Sequence, residues 1–409
     1  MKKLLVIGKN WPEPQTTAAG YRILQLLEVF QEDGYQVTFS CAGCKSAYSV
    51  DLVGLNIIEK EILLNDSSFD NFIKELSPDI VLYDRFMTEE QYSWRVKDNS
   101  PQTLHILDTE DLHFLRMARQ VAIKKKTDID IYNDAAVREI AAIYRCDLSI
   151  IISKVEHDIL INKFDIPVNK LIYIPFLHKK DKLKTAFLHK GFDDRSNFVM
   201  MGNSLHQPNY DSILYLKNKI WPQIRNKLPN VEVHVYGAYQ NESLKKLHHI
   251  EQGFIIKGHA INAIQTLREY RLLLAPLRFG AGLKGKIFDA LQAATPVAMS
   301  QIAAEGMFTD KQNFGLIENN VDAYVEKVID LYHNQQQWEE LSSGSLKILE
   351  NNFSHSAFAK TLLLKISSII ITRETKNNKE DFFIKMLNFH STSRYKYLSK
   401  WIDLKNNPK

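Results

Sequence analysis

Short apolar runs alternate with amphipathic stretches along the first 180 residues. Leu4–Gly8 is apolar, Ala19–Glu32 carries apolar side chains at helical spacing, and Tyr35–Cys41 alternates like a strand. Further strand-like and helix-like runs follow in alternation, namely Asp79–Tyr83, Thr103–Leu107, Asp134–Tyr144, Leu148–Ile152 and Val155–Phe164. Apolar strands that alternate with helices are typical of parallel sheets covered on both faces, so this half predicts a doubly wound α/β domain.

The same alternation starts again at Asn197, after a polar segment, Leu177–Ser196, that predicts a linker. The runs of the second half are Phe198–Met201, Asp211–Leu228, Val231–Tyr236, Phe254–Lys257 and Leu272–Pro276. We therefore predict an α/β chain with two doubly wound, Rossmann-like domains, residues 1–180 and 197–353, facing each other across a cleft. Ligands of such folds bind at the carboxyl ends of the strands. Residues 354–409 are expected to form a helix that packs back on the first domain and a basic tail.

Composition narrows the class of protein. With 45% hydrophobic and 24% charged residues the chain is globular, and a net charge of +4 gives no reason to expect a nucleic-acid partner. Three cysteines, an apolar start too short for a signal peptide and no apolar stretch of about 18 residues predict a cytoplasmic protein. We expect no metal site, because Cys41 and Cys44 form a lone pair and no histidine spacing completes it.

One loop carries the strongest chemical signal. A strand ends near Pro276, three glycines follow at Gly280, Gly282 and Gly285, and Lys284 and Lys286 stand between and after them. Glycines let a backbone approach a ligand, and the free N–H groups of a helix that starts near Lys286 favour a phosphate. The alternative is a surface turn with solvated lysines. Ile287 disfavours the alternative of a P-loop, since that motif needs a hydroxyl residue there to bind Mg²⁺.

The segment Ala275–Ala290, followed by Thr295-Pro-Val297 and Ile302–Gly306, resembles the donor-binding segment of GT-B glycosyltransferases. It is most similar to family 4, of the group 1 type. Gly202–Asn209 and Ile220-Trp-Pro222 resemble the start of that family's second domain, and the resemblance extends from the first strand to about Phe358. It implies transfer of a hexose from a nucleotide-diphosphate sugar to a glycan or lipid-linked acceptor, with retention, in cell-envelope polysaccharide synthesis. The nucleotide, UDP or GDP, is then a substrate, and no cofactor is expected.

The resemblance also assigns the residues that bind the donor. They are Asn203, His206, Gly258, Gly280, Gly282, Lys284, Gly285, Lys286, Asp289 and Glu305. Asp289 falls on the carboxylate that binds the ribose hydroxyls, although it could instead stabilise the start of its helix. The chain departs from the family at Ala281, where most members have a glutamate, and at Asn203 and His206, where an Arg/Lys pair is usual. Both departures leave the diphosphate more dependent on Lys284 and Lys286.

Candidate residues on the acceptor or phosphate side come from the first domain. Thr17 and Gly20 lie in the loop after the first strand, where Thr17 could also be a helix cap. Asp108, His113 and Arg116 follow a later strand. The predicted catalytic residues are Asp108, His113 and, from the second domain, Lys286. Asp108 or Thr109 could equally cap the next helix. The segment Asp84–Glu90, which contains Arg85, also ends a strand and is expected to line the acceptor side. Ser153 and Glu156 match the family but could form a capping box.

Mechanistically, Lys284, Lys286 and the glycine amides would stabilise negative charge on the leaving diphosphate. Two other classes share the fold and stay open here: a sugar-nucleotide epimerase or phosphorylase, and a non-catalytic partner subunit. Arg373–Lys409 alone carries a net charge of +5, with aromatic residues between its lysines. This tail either contacts the anionic inner face of a membrane or packs across the first domain.

Overall fold

A computed structural model describes residues 1–180, 190–309, 312–372 and 378–406. The first half is a seven-stranded parallel sheet in the order β3-β2-β1-β4-β5-β6-β7. Its strands are β1 Lys2–Gly8, β2 Tyr35–Cys41, β3 Ile58–Glu61, β4 Ile80–Asp84, β5 Leu104–Asp108, β6 Leu148–Ile151 and β7 Leu171–Tyr173. Its helices are α1 Ala18–Glu32, α2 Ser68–Leu76, α3 Phe86–Asn99, α4 His113–Lys125, α5 Asp134–Arg145 and α6 Lys154–Phe164.

The second half is a six-stranded parallel sheet in the order β10-β9-β8-β11-β12-β13. Its strands are β8 Ser196–Met201, β9 Val233–Tyr236, β10 Phe254–Gly258, β11 Tyr270–Ala275, β12 Val297–Met299 and β13 Gly315–Ile317. Its helices are α7 Gln207–Tyr215, α8 Trp221–Lys227, α9 Glu242–Lys245, α10 Ala263–Leu267, α11 Gly285–Ala293, α12 Gln301–Ala304, α13 Val321–His333 and α14 Gln335–Asn352. The expected fold class, two parallel α/β sheets with helices on both faces, is confirmed.

Details of the second half differ from the sequence pattern. The helix expected over Asp211–Leu228 begins earlier, at Gln207, and is interrupted by a π-helical turn at Leu216–Ile220. Pro222 explains the interruption, because it has no N–H to donate to the preceding turn. The expected linker, Leu177–Ser196, lies in part outside the described residues, at 181–189. Its last residue, Ser196, already belongs to β8.

The chain returns to the first sheet at its end. The helix α15, His355–Thr372, places Ala359, Leu362 and Ile366 in the same apolar core as strand β1 and helix α1. The helices α16, Asn378–Leu387, and α17, Ser393–Asn406, follow. In the tail, residues 373–377 and 407–409 lie outside the described part. None of the described helices combines the length and the apolarity needed to cross a bilayer.

The tail helices contact α3 of the first half. Arg95 donates a hydrogen bond to the Ser399 hydroxyl at 3.0 Å, and Lys97 donates one to the Asn388 side-chain oxygen at 2.9 Å. Lys396 pairs with Asp98 at 2.7 Å. Part of the basic tail therefore packs across the first domain, which was one of the two alternatives for it.

Candidate active site in the cleft between the two sheets

A cavity of about 920 Å³ lies between the carboxyl ends of the two sheets. The first half contributes the loop after β1, the ends of β4 and β5, and the start of α4. The second half contributes the loops after β8, β9, β10 and β11 and the start of α11. Most of the predicted residues line this cavity: Thr17, Gly20, Arg85, His113, Arg116, Asn203, His206, Gly280, Gly282, Lys284, Gly285, Lys286 and Asp289.

The start of α11 forms the centre of the second half's wall. Its N-cap, Lys284, has an extended backbone, and no side chain caps the first turn. Gly285 and Lys286, the first two residues of the helix, line the cavity. The positive end of the helix dipole therefore meets the cavity, an arrangement that favours an anionic group.

Two side chains on this wall titrate near neutral pH. Lys286 is partly exposed and donates a hydrogen bond to the Asn209 side-chain oxygen at 2.9 Å. Burial, with a smaller effect of Lys284, lowers the pKa of the Lys286 ammonium to about 7. Burial raises the pKa of the Asp289 carboxyl to about 7. A cation and a carboxyl group one helical turn apart thus share the wall.

Lys284 is buried, whereas its place between Gly282 and Gly285 predicts a mobile cation that faces the ligand. It is 7% exposed, and its ammonium donates a hydrogen bond to the Gly282 carbonyl at 2.6 Å. Burial lowers its pKa to about 8, against the opposing effects of Glu305 and Glu156. Lys284 therefore holds the loop in shape from within, and Lys286 is the more accessible of the two cations.

The glycines bring the loop close to the first half of the chain. A Cβ on Gly282 would lie 2.8 Å from the Asp111 Cβ, and one on Gly285 would lie 2.6 Å from the Ala18 Cβ. The Gly282 N–H donates to the Glu156 carboxylate at 2.7 Å. The expectation that this amide binds the diphosphate is thus wrong for this arrangement, because Glu156 already occupies it.

Glu156 joins the two halves and is fully buried. One carboxylate oxygen accepts hydrogen bonds from the Leu112 N–H, at 3.1 Å, and from the Gly282 N–H. Burial, followed by repulsion from Asp111, raises its pKa to about 8. Since Ser153 makes no side-chain cap to α6, the capping-box alternative for Ser153 and Glu156 is wrong.

His206 and Arg116 meet across the cavity. An Arg116 guanidinium nitrogen lies 3.4 Å from His206 Nε2 and 2.6 Å from an Asp111 carboxylate oxygen. Although His206 is exposed to the cavity, desolvation between its walls, together with Arg116 and Lys286 and against Asp111, lowers its pKa to about 4, so the imidazole is neutral and Nε2 accepts the hydrogen bond. The nearby Asn203 side chain accepts a hydrogen bond from the Leu205 N–H and shapes the loop.

The loop before α1 forms the opposite wall. Thr17 caps α1, because its hydroxyl accepts a hydrogen bond from the Gly20 N–H at 3.0 Å. A Cβ on Gly20 would lie 2.6 Å from the Glu13 backbone, so glycine serves the fold of the loop here. The capping alternative for Thr17 is confirmed, although both residues also line the cavity.

His113 stands where the first half's wall meets helix α4. The helix begins at His113 itself, so neither Asp108 nor Thr109 is its cap. The His113 ring contacts the Asp111 carbonyl at 3.1 Å and lies 3.6 Å from a Glu139 carboxylate oxygen. Burial disfavours the charged form of Asp111, but the ion pair with Arg116 holds the pKa of that carboxyl well below its usual range.

Three predicted residues lie away from the cavity wall. Asp108 is fully buried and pairs with Arg22 at 3.1 Å, which corrects its expected role as a residue that touches substrate. The Gly258 carbonyl accepts a hydrogen bond from the Gly237 N–H and so sits behind the lining. Glu305 pairs with Arg119 of the first half at 2.8 Å, so the carboxylate is engaged between the domains and not by a donor.

Asp84, the last residue of β4, lines the cavity as expected for the acceptor side, but other lining residues escaped the sequence reasoning. They are Glu110, which lies after β5, and Glu13, which meets Tyr239 of the second half. The Tyr239 hydroxyl lies 2.8 and 2.9 Å from the two Glu13 carboxylate oxygens. For Glu110, as for Asp84, a signal existed, since carboxyl ends of adjacent parallel strands meet at one edge of a sheet. The Glu13–Tyr239 pair had none, because the two are 226 residues apart.

Comparison with known proteins agrees with this architecture. The family described as Glycosyl transferases group 1 matches residues 195–334. A Klebsiella pneumoniae protein, the uncharacterized 44.6 kDa protein in the cps region, is 21% identical over 86% of this chain and 97% of its own length.

Solved structures share the fold. The Anabaena protein Alr3699/HepE in complex with UDP-glucose superposes with a TM-score of 0.64 at 12% identity, over 90% of this chain and all of that one. A point mutant of S. aureus TarM, solved with Fondaparinux, alpha-GlcNAc-glycerol and UDP, has a TM-score of 0.54 at 13% identity; 72% of this chain is covered, but only 57% of TarM. The chain therefore has the GT-B fold of these structures, and its residues 195–334 match the family described as Glycosyl transferases group 1.

Proposed function

We propose that the chain transfers a hexose from a UDP-sugar to a hydroxyl group of a glycan or lipid-linked acceptor during assembly of a cell-envelope polysaccharide. UDP is favoured because the Anabaena and S. aureus structures hold UDP-glucose and UDP. The Klebsiella relative comes from a cps region, which supports the polysaccharide product. The observation that carries the proposal is the uncapped start of α11, with Lys286 and Asp289 on the same cavity wall.

The donor has a defined orientation in this proposal. Its diphosphate lies at the start of α11 against Lys286, and its ribose diol binds the Asp289 carboxyl one turn further along the helix. The base occupies the part of the cavity lined by residues 237–239 and 259–264. The hexose then points across the cavity to the first half's wall, where Arg85, His113 and Arg116 stand.

Catalysis follows from charge that develops on the leaving group. As the bond between the anomeric carbon and the diphosphate oxygen breaks, negative charge grows where Lys286 and the helix N–H groups already lie. Groups that need no reorganisation stabilise such charge effectively. Arg116 adds a second cation across the cavity, held in place by Asp111. Reaction without a metal ion and with retention stays a prediction, which activity in EDTA and the anomeric configuration of the product by NMR would test.

A donor panel tests the activity. The enzyme is incubated with UDP-, GDP- and dTDP-hexoses and a mixture of glycan and polyprenyl-phosphate acceptors, and products are identified by mass spectrometry. We expect UDP release that depends on acceptor and a product heavier by one hexose. Epimerised donor without transfer, or no binding of any donor by calorimetry, would contradict the proposal.

Peripheral contact with an anionic membrane is the finer proposal for the tail. Phe382, Phe389, Tyr397 and Trp401 are each at least 60% exposed on α16 and α17 or between them, among lysines. Aromatic and basic side chains together suit the headgroup region of a bilayer. Replacing these four aromatic residues by Ser should abolish co-sedimentation with phosphatidylglycerol vesicles and leave UDP binding unchanged. Equal co-sedimentation of the variant and the native chain would refute the contact.

A further inference from the structure

Two carboxyl groups on the first half's wall take no part in the donor site. Asp84 ends β4, and Glu110 stands two residues beyond the end of β5. Both line the cavity, and each is 7% exposed. Asp84 Oδ1 and Glu110 Oε1 are buried, and no described residue donates a hydrogen bond to either oxygen. Because buried polar atoms nearly always have a partner, these two oxygens indicate a ligand that supplies donors.

Three of the cations around these two groups already have carboxylate neighbours, and a fourth, Lys9, is exposed on the same wall and forms no ion pair among the described residues. Arg85 lies 3.6 Å from Asp84, and Arg116 and Arg22 pair with Asp111 and Asp108. A further anion would meet the Asp84 and Asp111 carboxylates, with Lys9 left to offset part of the repulsion. The free hydrogen-bonding capacity at Asp84 Oδ1 and Glu110 Oε1 is that of an acceptor, and a ligand's hydroxyl groups match it.

The backbone at this place is unusual as well. Arg85 has φ +72° and Glu110 has φ +59°, a left-handed conformation that non-glycine residues rarely adopt. Such conformations concentrate at functional sites, where the fold holds them in place. Arg85 directly follows β4 and Glu110 lies two residues after β5, so both stand just beyond Asp84 and Asp108, the paired last residues of these adjacent strands.

We propose that Asp84 and Glu110 form the acceptor subsite and that it selects an uncharged sugar, whose hydroxyl groups donate hydrogen bonds to the two carboxyl groups. The inference rests on the proposed function, since it places the acceptor opposite the UDP-sugar. The next residue, Asp111, connects the subsite to Arg116 and His206 beside the donor wall. A hydroxyl group held by Glu110 would therefore lie on the part of the first half's wall that Arg116 and His206 connect to the donor wall.

The protonation of Glu110 suits this role. Burial and then Asp108 raise its pKa to about 8, with Asp84 adding to the effect and Arg22 and Arg85 opposing it. Near neutral pH the carboxyl group keeps its proton and can both donate to and accept from a sugar hydroxyl. Glu110→Gln, which also donates and accepts, should bind acceptor as the native protein does at pH 7, whereas Glu110→Ala should not.

Binding to the UDP-loaded enzyme tests the subsite without knowledge of the natural acceptor. The probes are octyl glycosides of glucose, galactose and N-acetylglucosamine, and octyl glucuronide as the acidic counterpart, followed by saturation-transfer NMR. We expect binding of at least one neutral glycoside and weaker binding of the glucuronide. In Glu110→Ala and Asp84→Ala the affinity for the neutral glycoside should fall about tenfold. Glu242→Ala, an exposed carboxylate on α9, is the matched control and should change nothing.

Three results would overturn the subsite: equal binding in Glu110→Ala, preference for the glucuronide, or no binding of any neutral glycoside. Calorimetry with UDP separates this failure from failure of the proposed function. Native UDP affinity in both alanine variants shows that they fold and that the donor site is intact. If the native chain itself does not bind UDP, that result would instead count against the proposed function.

Discussion

Lys286 makes donor binding depend on pH. Its ammonium has a pKa of about 7, so it loses charge as the pH rises from about 6 to 8, and attraction for the diphosphate falls with it. We expect the UDP dissociation constant of the native enzyme to rise about tenfold across this range, measured by calorimetry. Lys286→Arg keeps its charge and should show a smaller rise, which reports the Asp289 carboxyl that titrates in the same range. A rise of the same size in Lys286→Arg would show that another group is responsible.

Lys286→Ala tests catalysis at the same residue. Loss of one preorganised group that stabilises developing charge should lower kcat about 100-fold or more. Single-turnover kinetics with the donor identified by the panel measures this step directly. Native kcat in this variant would remove Lys286 from the transition state.

Asp289 recognises the ribose in our proposal, and the recognition can be isolated chemically. The native enzyme should bind UDP about tenfold more tightly than 2′-deoxy-UDP, because a hydrogen bond to a carboxylate contributes about 1.5–3 kcal/mol. In Asp289→Ala the two ligands should bind equally. If the preference for UDP survives the substitution, Asp289 only stabilises its helix.

At the level of elements, the start of α11 is placed by contact with the start of α1. A Cβ on Gly285 would lie 2.6 Å from the Ala18 Cβ, well inside contact distance. Gly285→Ala should therefore push the helix away from the first half and raise the KM for donor about tenfold. Ala18→Gly removes the opposing atom, so the double variant should recover native KM. Failure of this rescue would mean that the glycine is needed for backbone conformation or for contact with phosphate.

The elements also show how far a sequence alone can be interpreted. The long apolar runs, such as Ser196–Met201 and Tyr270–Ala275, were predicted to within two residues, because burial on both faces leaves an unmistakable pattern. The three-residue strands β7, β12 and β13 were missed, since three residues carry no periodicity. The position of the cleft could be predicted from the ends of the strands, but the hydrogen bond between the Gly282 N–H and Glu156 could not. Their bond joins residues 126 positions apart and depends on how the two halves pack.

In the whole molecule, Glu156 is a buried connection between the halves. Glu156→Ala would leave the Leu112 and Gly282 N–H groups unpaired, at a cost of about 2–4 kcal/mol in the free energy of unfolding. The folded pKa of about 8 lies above the ordinary value of 4.5. Between those values the folded chain keeps a proton that the unfolded chain has lost, so this group's contribution to stability falls as the pH rises from about 4.5 to 8.

Glu156→Gln separates the two effects. Gln keeps the accepting oxygen and cannot ionise, so we expect native stability near pH 5 and greater stability than the native chain at about pH 8.5. Urea unfolding at the two pH values, with Glu156→Ala alongside, measures this. A parallel decline of Glu156→Gln and the native chain would assign the pH dependence to other buried groups, such as Glu110.

Glu13 and Tyr239, both on the cavity wall, join the two halves, and Tyr48 packs edge-on against Tyr239 and His259 beside them. We predict that this contact acts as an aromatic gate, which opens before spent UDP leaves and so limits the rate of turnover. Turnover should then slow in proportion to solvent viscosity when sucrose is added. Tyr239→Phe, which lacks the hydroxyl group that holds the gate, should turn over faster and lose much of that sensitivity to viscosity.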